Sequence, residues 1–333
     1  MLQTKILSKK NPIRLIVIGF FLFTLNSCKR DEVISVEPKE ANCTEYTQCS
    51  GSVIMVLDGP IQRSSPCFNP NNSNEFVFIE RDTKNVKHLF VYNLQTRKKQ
   101  LVLNSTNFIS ELNWGVNNWI VFKDGADKNL YKIRPDGTNR TFVYNFNGLS
   151  QVAITVNQEI FCCSQFVSGT TYKIDFDGNL LDSFPNCIYD YGDFSPSFEK
   201  QQLACYDYAI PYHQSSISIK KISSLGTFFT YIPYEAKYRN WRYRSLSWHP
   251  NCDEIYYASY LDIQKISVTN YTHTIVRRGC PFDYFGVVRV SPDGTKLLTE
   301  SIHDYYDSNC RKYSNSDIAI MNIDGTEMKY PLQ

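Results

Sequence analysis

Short apolar runs alternate with polar turns along this chain of 333 residues. Six of the runs follow a shared anchor, which consists of a hydrophobic residue, one further residue, and Pro or Val. Successive anchors are 46, 40, 40, 54 and 42 residues apart, and they end at Pro70, Val116, Val156, Pro196, Pro250 and Pro292. Short apolar runs bounded by turn residues predict β-strands, and no stretch of ten or more residues has helical spacing. The chain is therefore built from a repeated β unit.

A second half completes each repeat with another apolar strand, a turn and a final strand. Three of these turns contain Asp-Gly, at Asp136-Gly137, Asp177-Gly178 and Asp324-Gly325. Asp-Gly between apolar runs favours a hairpin because glycine adopts positive φ without steric cost. Each unit then has four antiparallel strands, and a repeat of this length predicts a β-propeller. We predict an all-β, six-bladed β-propeller with four-stranded antiparallel blades over residues 51–333. An irregular β-sandwich is the alternative.

One additional apolar run, Ser52–Leu57, lies before the six counted units. An early strand of this kind often completes the last blade of a propeller and locks the ring. Closure also removes exposed sheet edges, which are prone to aggregation. We therefore predict that the ring is closed by this N-terminal strand.

The sixth repeat carries a family resemblance. It reads Ser291-Pro292-Asp293-Gly294-Thr295, followed by Lys296-Leu297-Leu298 and later by Ile318–Asn322. This segment resembles the WD-type Pro-Asp repeat of TolB-like propellers, and Phe194–Pro196 and Trp248–Pro250 match its beginning. The second and third repeats lack the proline. The resemblance covers roughly residues 50–333, and it implies a six-bladed, usually non-catalytic binding propeller in the bacterial envelope.

The N-terminus predicts an export signal. Four basic residues precede the apolar run Leu15–Leu25, which is too short to span a bilayer comfortably. The run ends in Leu25-Asn26-Ser27-Cys28, which resembles the lipobox of bacterial lipoproteins, in which the cysteine becomes the lipidated first residue. We predict a lipoprotein signal peptide over residues 1–27, lipidation of Cys28 and a tether over residues 28–50. An ordinary secretory signal is the alternative.

The residues after Cys28 bear on the destination. Residue 29, which follows the lipobox cysteine, is lysine and not aspartate. By resemblance to bacterial sorting rules, this favours the outer membrane. The charged run Lys29-Arg30-Asp31-Glu32 also resembles the export tag of surface lipoproteins in Bacteroidetes-type bacteria. We predict an outer-membrane lipoprotein that faces the periplasm or the cell surface.

Charge and cysteine content exclude some functions. The net charge of +2 becomes −2 without residues 1–27, because these contain four basic and no acidic residues. A nearly neutral domain has no electrostatic basis for bulk nucleic-acid binding. Lipidation of one of the eleven cysteines leaves ten, which an oxidising envelope allows to pair, although spacing does not define the pairs. With five scattered histidines and no ligand motif, we expect no metal and no cofactor.

Catalytic motifs are absent from the sequence, which has no Gly-x-Ser-x-Gly elbow and no Gly-rich phosphate loop. Two carboxylate pairs, Asp190 with Asp193 and Asp304 with Asp307, have the residue types that a glycosidase needs. Solvated loop acids are the commoner explanation of such pairs. We therefore expect the protein not to be an enzyme.

The longer loops concentrate aromatic and cationic residues in the second half of the chain. Rigid scaffolds present function on loops, and Tyr, Trp and Arg dominate binding hot spots. The alternative is that these aromatic side chains pack the loops down, with arginine stacked on them. The candidate ligand-binding residues are Tyr208, Tyr212, Tyr238, Arg239, Trp241, Arg242, Tyr243, Arg244, Tyr305 and Tyr306.

Three functions remain open at this point. The first is a non-catalytic cell-envelope lipoprotein, expected to be a monomer, that binds a protein or peptide partner through its loop face. The second is a carbohydrate-binding or glycan-processing surface lipoprotein. The third is a hydrolase or lyase with acids in the central channel. We rank them in this order.

The lipobox generates a prediction that can be tested in cells. We expect Cys28→Ser to abolish incorporation of labelled palmitate and to shift the protein from the membrane to the soluble fraction, because acyl chains anchor by burying methylenes. Cys43→Ser is the matched control and should be labelled like the wild type. Equal labelling of Cys28→Ser would exclude this site.

Overall fold

The computed structural model describes residues 54–55, 61–105, 109–125, 129–145, 149–164, 170–184, 194–196, 202–209, 214–221, 232–233, 245–259, 261–280, 283–306 and 311–333. These residues form strands throughout. In chain order the strands are β1 (Ile54–Met55), β2 (Gln62–Asn69), β3 (Asn72–Arg81), β4 (Lys87–Asn93), β5 (Lys98–Ser105), β6 (Ile109–Trp114), β7 (Ile120–Asp124), β8 (Asn129–Ile133), β9 (Thr141–Asn145), β10 (Leu149–Ile154), β11 (Ile160–Ser164), β12 (Thr171–Ile174), β13 (Leu180–Phe184), β14 (Phe194–Pro196), β15 (Gln202–Ala209), β16 (Gln214–Lys221), β17 (Ile232–Pro233), β18 (Leu246–Trp248), β19 (Glu254–Ser259), β20 (Asp262–Ser267), β21 (His273–Arg277), β22 (Asp283–Val290), β23 (Lys296–Tyr306) and β24 (Arg311–Asn322).

Four-stranded sheets organise these strands. Sheets one to five each consist of four consecutive antiparallel strands, namely β2–β5, β6–β9, β10–β13, β14–β17 and β18–β21. The first strands of successive sheets contact each other in a closed cycle, in which β22 contacts both β18 and β2. The first strand of each sheet therefore lies at the centre. This is an all-β propeller with four-stranded antiparallel blades, as the sequence predicts.

The sixth sheet departs from the predicted blade. Its strands β22, β23 and β24 are antiparallel, but the fourth strand is β1, which runs parallel to β24 and pairs Ile54 with Arg311 and Met55 with Lys312. The prediction of six four-stranded antiparallel blades is thus confirmed for five units and wrong for the sixth. The described part of the predicted strand Ser52–Leu57 is limited to these two residues.

The C-terminal chain also pairs with β24. Ile320 of β24 and Lys329 exchange two backbone hydrogen bonds of 2.9 and 2.8 Å, so the chain after β24 folds back along its outer edge. The outer position of sheet six is therefore occupied at one end by the C-terminal chain and at the other by β1.

Apolar clusters between neighbouring sheets form the core. Phe76 and Phe78 of sheet one, for example, pack with Leu298 and Ile318 of sheet six. The alternation of inward and outward side chains along each strand supplies both faces of a sheet with apolar residues, so every sheet packs against two neighbours. Burial of each large apolar side chain contributes about 2 kcal/mol. The described residues contain further clusters between sheets one and two, two and three, four and five, and five and six.

Side-chain hydrogen bonds explain the Ser-Pro-Asp-Gly-Thr turn of sheet six. The Asp293 carboxylate accepts hydrogen bonds from the Ser291 hydroxyl at 2.6 Å and from the Thr295 amide at 3.0 Å, and Ser291 Oγ accepts one from the Lys296 amide at 2.9 Å. Burial raises the pKa of Asp293, but these hydrogen bonds outweigh it and lower the pKa to about 2. The turn is therefore held by its own side chains.

The glycine of the Asp-Gly turns also seats each turn against the preceding sheet. Gly178 has φ of +85°, and a Cβ atom at this position would lie 2.0 Å from the carbonyl oxygen of Val143 in β9. Gly137 and Gly325 make the same kind of approach, to the carbonyl oxygens of Val102 and Val276. The repeated glycine thus permits both the turn and the close packing of neighbouring sheets.

A network of charges joins sheet one to sheet six. Arg63 of β2 pairs with Glu80 at 3.0 Å and with Asp317 of β24 at 2.9 Å, while Lys99 binds Glu80 at 2.9 Å. Burial opposes the charged state of Arg63 and of Glu80, yet the hydrogen bonds outweigh it, so the pKa of Arg63 is raised and that of Glu80 is lowered. Arg63 is the member that connects sheet one to sheet six.

Removing Arg63 should therefore weaken the ring. We expect Arg63→Met to lower the free energy of unfolding by about 2 kcal/mol, because two partly buried carboxylates lose their common partner. Lys99→Met is the matched control, since Lys99 pairs only within sheet one, and it should cost about 0.5 kcal/mol. Urea denaturation measures both, and equal losses would show that the contact between the sheets adds nothing.

We expect acid to destabilise the protein over the pH range in which the Asp293 carboxylate becomes protonated. The folded pKa of about 2 lies below the ordinary value of 3.8, so the stabilisation is present above pH 3.8 and is lost as the pH falls towards 2. We expect the difference in melting temperature between the wild type and Asp293→Asn to shrink over this interval. A difference that stays constant from pH 5 to about pH 2 would contradict this assignment.

Candidate functional site

Most of the predicted binding residues lie outside the described residues. This applies to Cys28 and to Tyr212, Tyr238, Arg239, Trp241, Arg242, Tyr243 and Arg244. Tyr208 lies in β15 opposite Ser215, and Tyr306 lies in β23 opposite Lys312, but only their backbone is described. Tyr208 belongs to sheet four, whereas Tyr305 and Tyr306 are neighbours in sheet six. The predicted residues thus remain hypotheses, except where Tyr305 can be described.

Tyr305 stacks on Tyr313 across the hairpin of β23 and β24. The two residues are register partners, and their ring centroids are 5.1 Å apart with an interplanar angle of 9°. Such a pair stabilises the hairpin by cross-strand packing. Part of the aromatic character of this loop is therefore used within the hairpin, which is the alternative that the sequence leaves open.

Asp304, one member of a predicted carboxylate pair, is buried in the same hairpin. It is 3% exposed, and its Oδ1 accepts a hydrogen bond from the hydroxyl of Ser314 on the neighbouring strand. A carboxylate in this position orders the hairpin. Asp190, Asp193 and Asp307 lie outside the described residues.

A small cavity of about 120 Å³ lies where the first strands of the sheets converge, and this is the central channel. Its lining includes Cys67, Asn113, Trp114, Ser247 and Arg289. Among its described lining residues, Arg289 is the only charged one. The volume suits a few water molecules, and no carboxylate reaches it from the described residues, so this part of the channel lacks the acids that a hydrolase would need.

Arg289 and Cys67 have structural roles in this channel. The Arg289 guanidinium donates to the carbonyl oxygens of Val288 at 3.0 Å and Leu246 at 3.3 Å, and also to Ser245 Oγ, so it bridges sheets five and six. Burial raises the pKa of the Cys67 thiol, although the charge of Arg289 acts in the opposite direction. Cys67 is consequently a protonated thiol and a poor nucleophile.

A larger cavity of about 430 Å³ lies between β21 of sheet five and the face of sheet six, and we name it the sheet-six cavity. Two rows of side chains from sheet six face it, one being Asp283, His303 and Asn315, and the other Phe285, Ser301 and Asp317. The remaining lining residues come from the end of sheet five and from the C-terminal chain: Arg277, Arg278, Gly279, Cys280, Met328, Tyr330 and Gln333.

Hydrogen bonds occupy most of the polar groups in this cavity. Asp317 binds Arg63 through Oδ1 and accepts from Gln333 through Oδ2 at 2.9 Å, while His303 pairs with Asp283. The Ser301 and Tyr330 hydroxyls are 3.2 Å apart. Sequence reasoning did not single out this cavity, and the dibasic Arg277-Arg278 before a cysteine is the signal that it passed over.

Cysteine and metal chemistry can be stated for the described residues only. Cys280, at the rim of the sheet-six cavity, is in a disulfide. Cys67 is a free thiol, so not every one of the ten remaining cysteines is paired. Cys162 is buried in the core. No group of three or more His, Cys, Asp or Glu side chains in the described part of the chain has the arrangement of a metal site.

Comparisons with known proteins show the fold and leave the family open. No protein-family model matches the chain, and no curated protein matches it. Among solved structures, a protein assigned as TolB from Agrobacterium tumefaciens is 14% identical with a TM-score of 0.57, over 72% of this chain and 86% of that one. TolB from Acinetobacter baumannii is 11% identical with a TM-score of 0.58, over 80% of this chain and 62% of that one.

A third similar structure is not a TolB protein. A chain of the nidogen/laminin complex is 10% identical with a TM-score of 0.56, over 81% of this chain and 93% of that one. At these identities the likeness concerns architecture. The chain therefore has a TolB-like β-propeller fold, as its Pro-Asp repeats indicate. In the described residues, no helix is long and apolar enough to cross a membrane.

Proposed function

We propose that this protein is a non-catalytic lipoprotein of the cell envelope that binds a protein or peptide partner through the loop face of its propeller. The observation that carries the proposal is the likeness of the propeller to TolB over most of this chain. The third similar structure is that of a complex between two proteins, nidogen and laminin. Propellers of this shape present loops on a rigid ring, and such a surface suits the recognition of another protein.

The lipid anchor and its location rest on the N-terminal sequence. The lipobox ending in Cys28 supports acylation, and Lys29 supports sorting to the outer membrane. The proposal also includes closure of the ring by the N-terminal segment, which the pairing of β1 with β24 supports. The protein would act as a monomer at the membrane surface.

The absence of catalysis is part of the proposal and has two supports. Asp304 is buried and hydrogen-bonded to Ser314, so it is poorly placed to protonate a substrate. The Cys67 thiol in the central channel has a raised pKa and is held in its protonated form. Neither group has the environment of an acid or nucleophile in an active site.

Partner binding should depend on the loop that contains Trp241. We expect the mature protein to retain one envelope protein in affinity capture after crosslinking, and the purified pair to bind about 30-fold more weakly with Trp241→Ala, because loop aromatics act as hot spots. Phe142→Ala is the matched control, since Phe142 is an aromatic residue of β9 that is 51% exposed on the outer side of sheet two.

The outcomes of this experiment separate the candidate functions. Equal affinity of Trp241→Ala and the wild type would remove the loop face from the proposal. Saturable binding to a polysaccharide that is lost with Trp241→Ala would instead support the carbohydrate alternative. Turnover of a glycan that depends on Asp304 or Asp307 would overturn the non-catalytic assignment.

A further inference from the structure

The sheet-six cavity has the size and character of a small-molecule site. Its volume of about 430 Å³ falls in the range of pockets that hold small organic ligands. Phe285, which is 6% exposed, and Met328 provide an apolar surface, while polar groups converge from three segments of the chain. The described part of the central cavity, by contrast, has a volume of only about 120 Å³.

Asn315 lines this cavity, and one atom of its side chain lacks a hydrogen-bonding partner in the described residues. Its Oδ1 atom is buried and accepts no hydrogen bond within the described residues. Buried polar atoms nearly always have a partner, and one that lacks it calls for an explanation. The register neighbour His303 does not provide the partner, because it pairs with Asp283. A ligand with a hydroxyl or amino group would satisfy Asn315 once the side chain turns its Oδ1 atom towards the cavity.

The charges of the cavity favour an anionic group. Both carboxylates already have partners, since Asp317 binds Arg63 and Gln333, and Asp283 binds His303. Arg277 uses one nitrogen to donate to the Gly325 carbonyl oxygen at 2.9 Å. Arg278 is exposed, and no hydrogen bond of its side chain is found in the described part of the chain. The guanidinium groups therefore keep donors that suit a carboxylate.

We propose that the sheet-six cavity binds a small carboxylic acid that carries an amino or hydroxyl group next to the carboxylate and a short apolar side chain. Arg278 and Arg277 bind the carboxylate, Asn315 Oδ1 accepts from the amino or hydroxyl group, and Phe285 and Met328 contact the apolar part. An amino acid and a hydroxy acid share this chemistry. The proposal concerns a small molecule and does not depend on partner binding.

Four probes that share one isobutyl group test this ligand class. They are L-leucine, L-2-hydroxyisocaproate, isocaproate, which lacks the donor, and isoamylamine, which lacks the carboxylate. Isothermal titration into the mature protein should give saturable binding of leucine or of the hydroxy acid, and the stronger of the two identifies the donor group. Isocaproate should bind about tenfold more weakly, and isoamylamine should not bind measurably.

Two variants assign the binding to this cavity. Arg278→Gln should weaken the better acid about tenfold, and Asn315→Ala should reduce its affinity to that of isocaproate. Lys84→Gln, an exposed change in sheet one, is the control and should bind like the wild type. Asn315→Ala should also leave the melting temperature unchanged or raised, because it removes an unsatisfied acceptor.

The results that would overturn the proposal are equally definite. Flat titrations with both leucine and the hydroxy acid would exclude this ligand class. Binding that survives unchanged in Arg278→Gln and Asn315→Ala would place the ligand elsewhere on the molecule. Because these readouts do not involve Trp241 or a protein partner, they remain informative if the proposed partner binding fails.

Discussion

The structure depends on the face-to-face packing of neighbouring sheets around a ring. Each sheet has two apolar faces, and neither can be left exposed without losing several buried side chains. Most of these interfaces connect sheets that follow one another along the chain. The interface between sheets six and one brings together segments from opposite ends of the described chain. Phe76, Leu298 and the Arg63–Asp317 pair form that interface, and it completes the cycle of first strands.

Local sequence chemistry predicted much of this architecture. The anchors before each strand pair, and the Asp-Gly turns, follow from hydrogen bonds such as those of Asp293, which act within a few residues. For that reason the strands and their antiparallel order could be read without a structure. The contact of Gly178 with Val143 could not, because it joins different sheets. The pairing of Ile320 with Lys329 was missed for a related reason, since Pro331 and the polar residues beside it do not resemble a strand.

The candidate sites differ in how far sequence could reveal them. Tyr305 was found because aromatic residues in a loop are conspicuous, and the structure then shows one use for it in the stack on Tyr313. The sheet-six cavity draws its lining from sheet five, sheet six and the C-terminal chain, and no linear motif connects Arg278 with Asn315. Only the register of the strands places His303 beside Asn315 and Asp283.

The glycine contacts all run from one sheet to the sheet that precedes it. Each Asp-Gly turn rests on the outer strand of the sheet before it, with Gly137 on Val102 and Gly178 on Val143. Two neighbouring sheets can approach each other this closely because glycine has no Cβ atom. A larger residue would increase the angle between two neighbouring sheets. Because the ring is closed, the other sheets would have to adjust to that change. The number of units that fit into the circle is thus linked to the smallest side chain in the repeat.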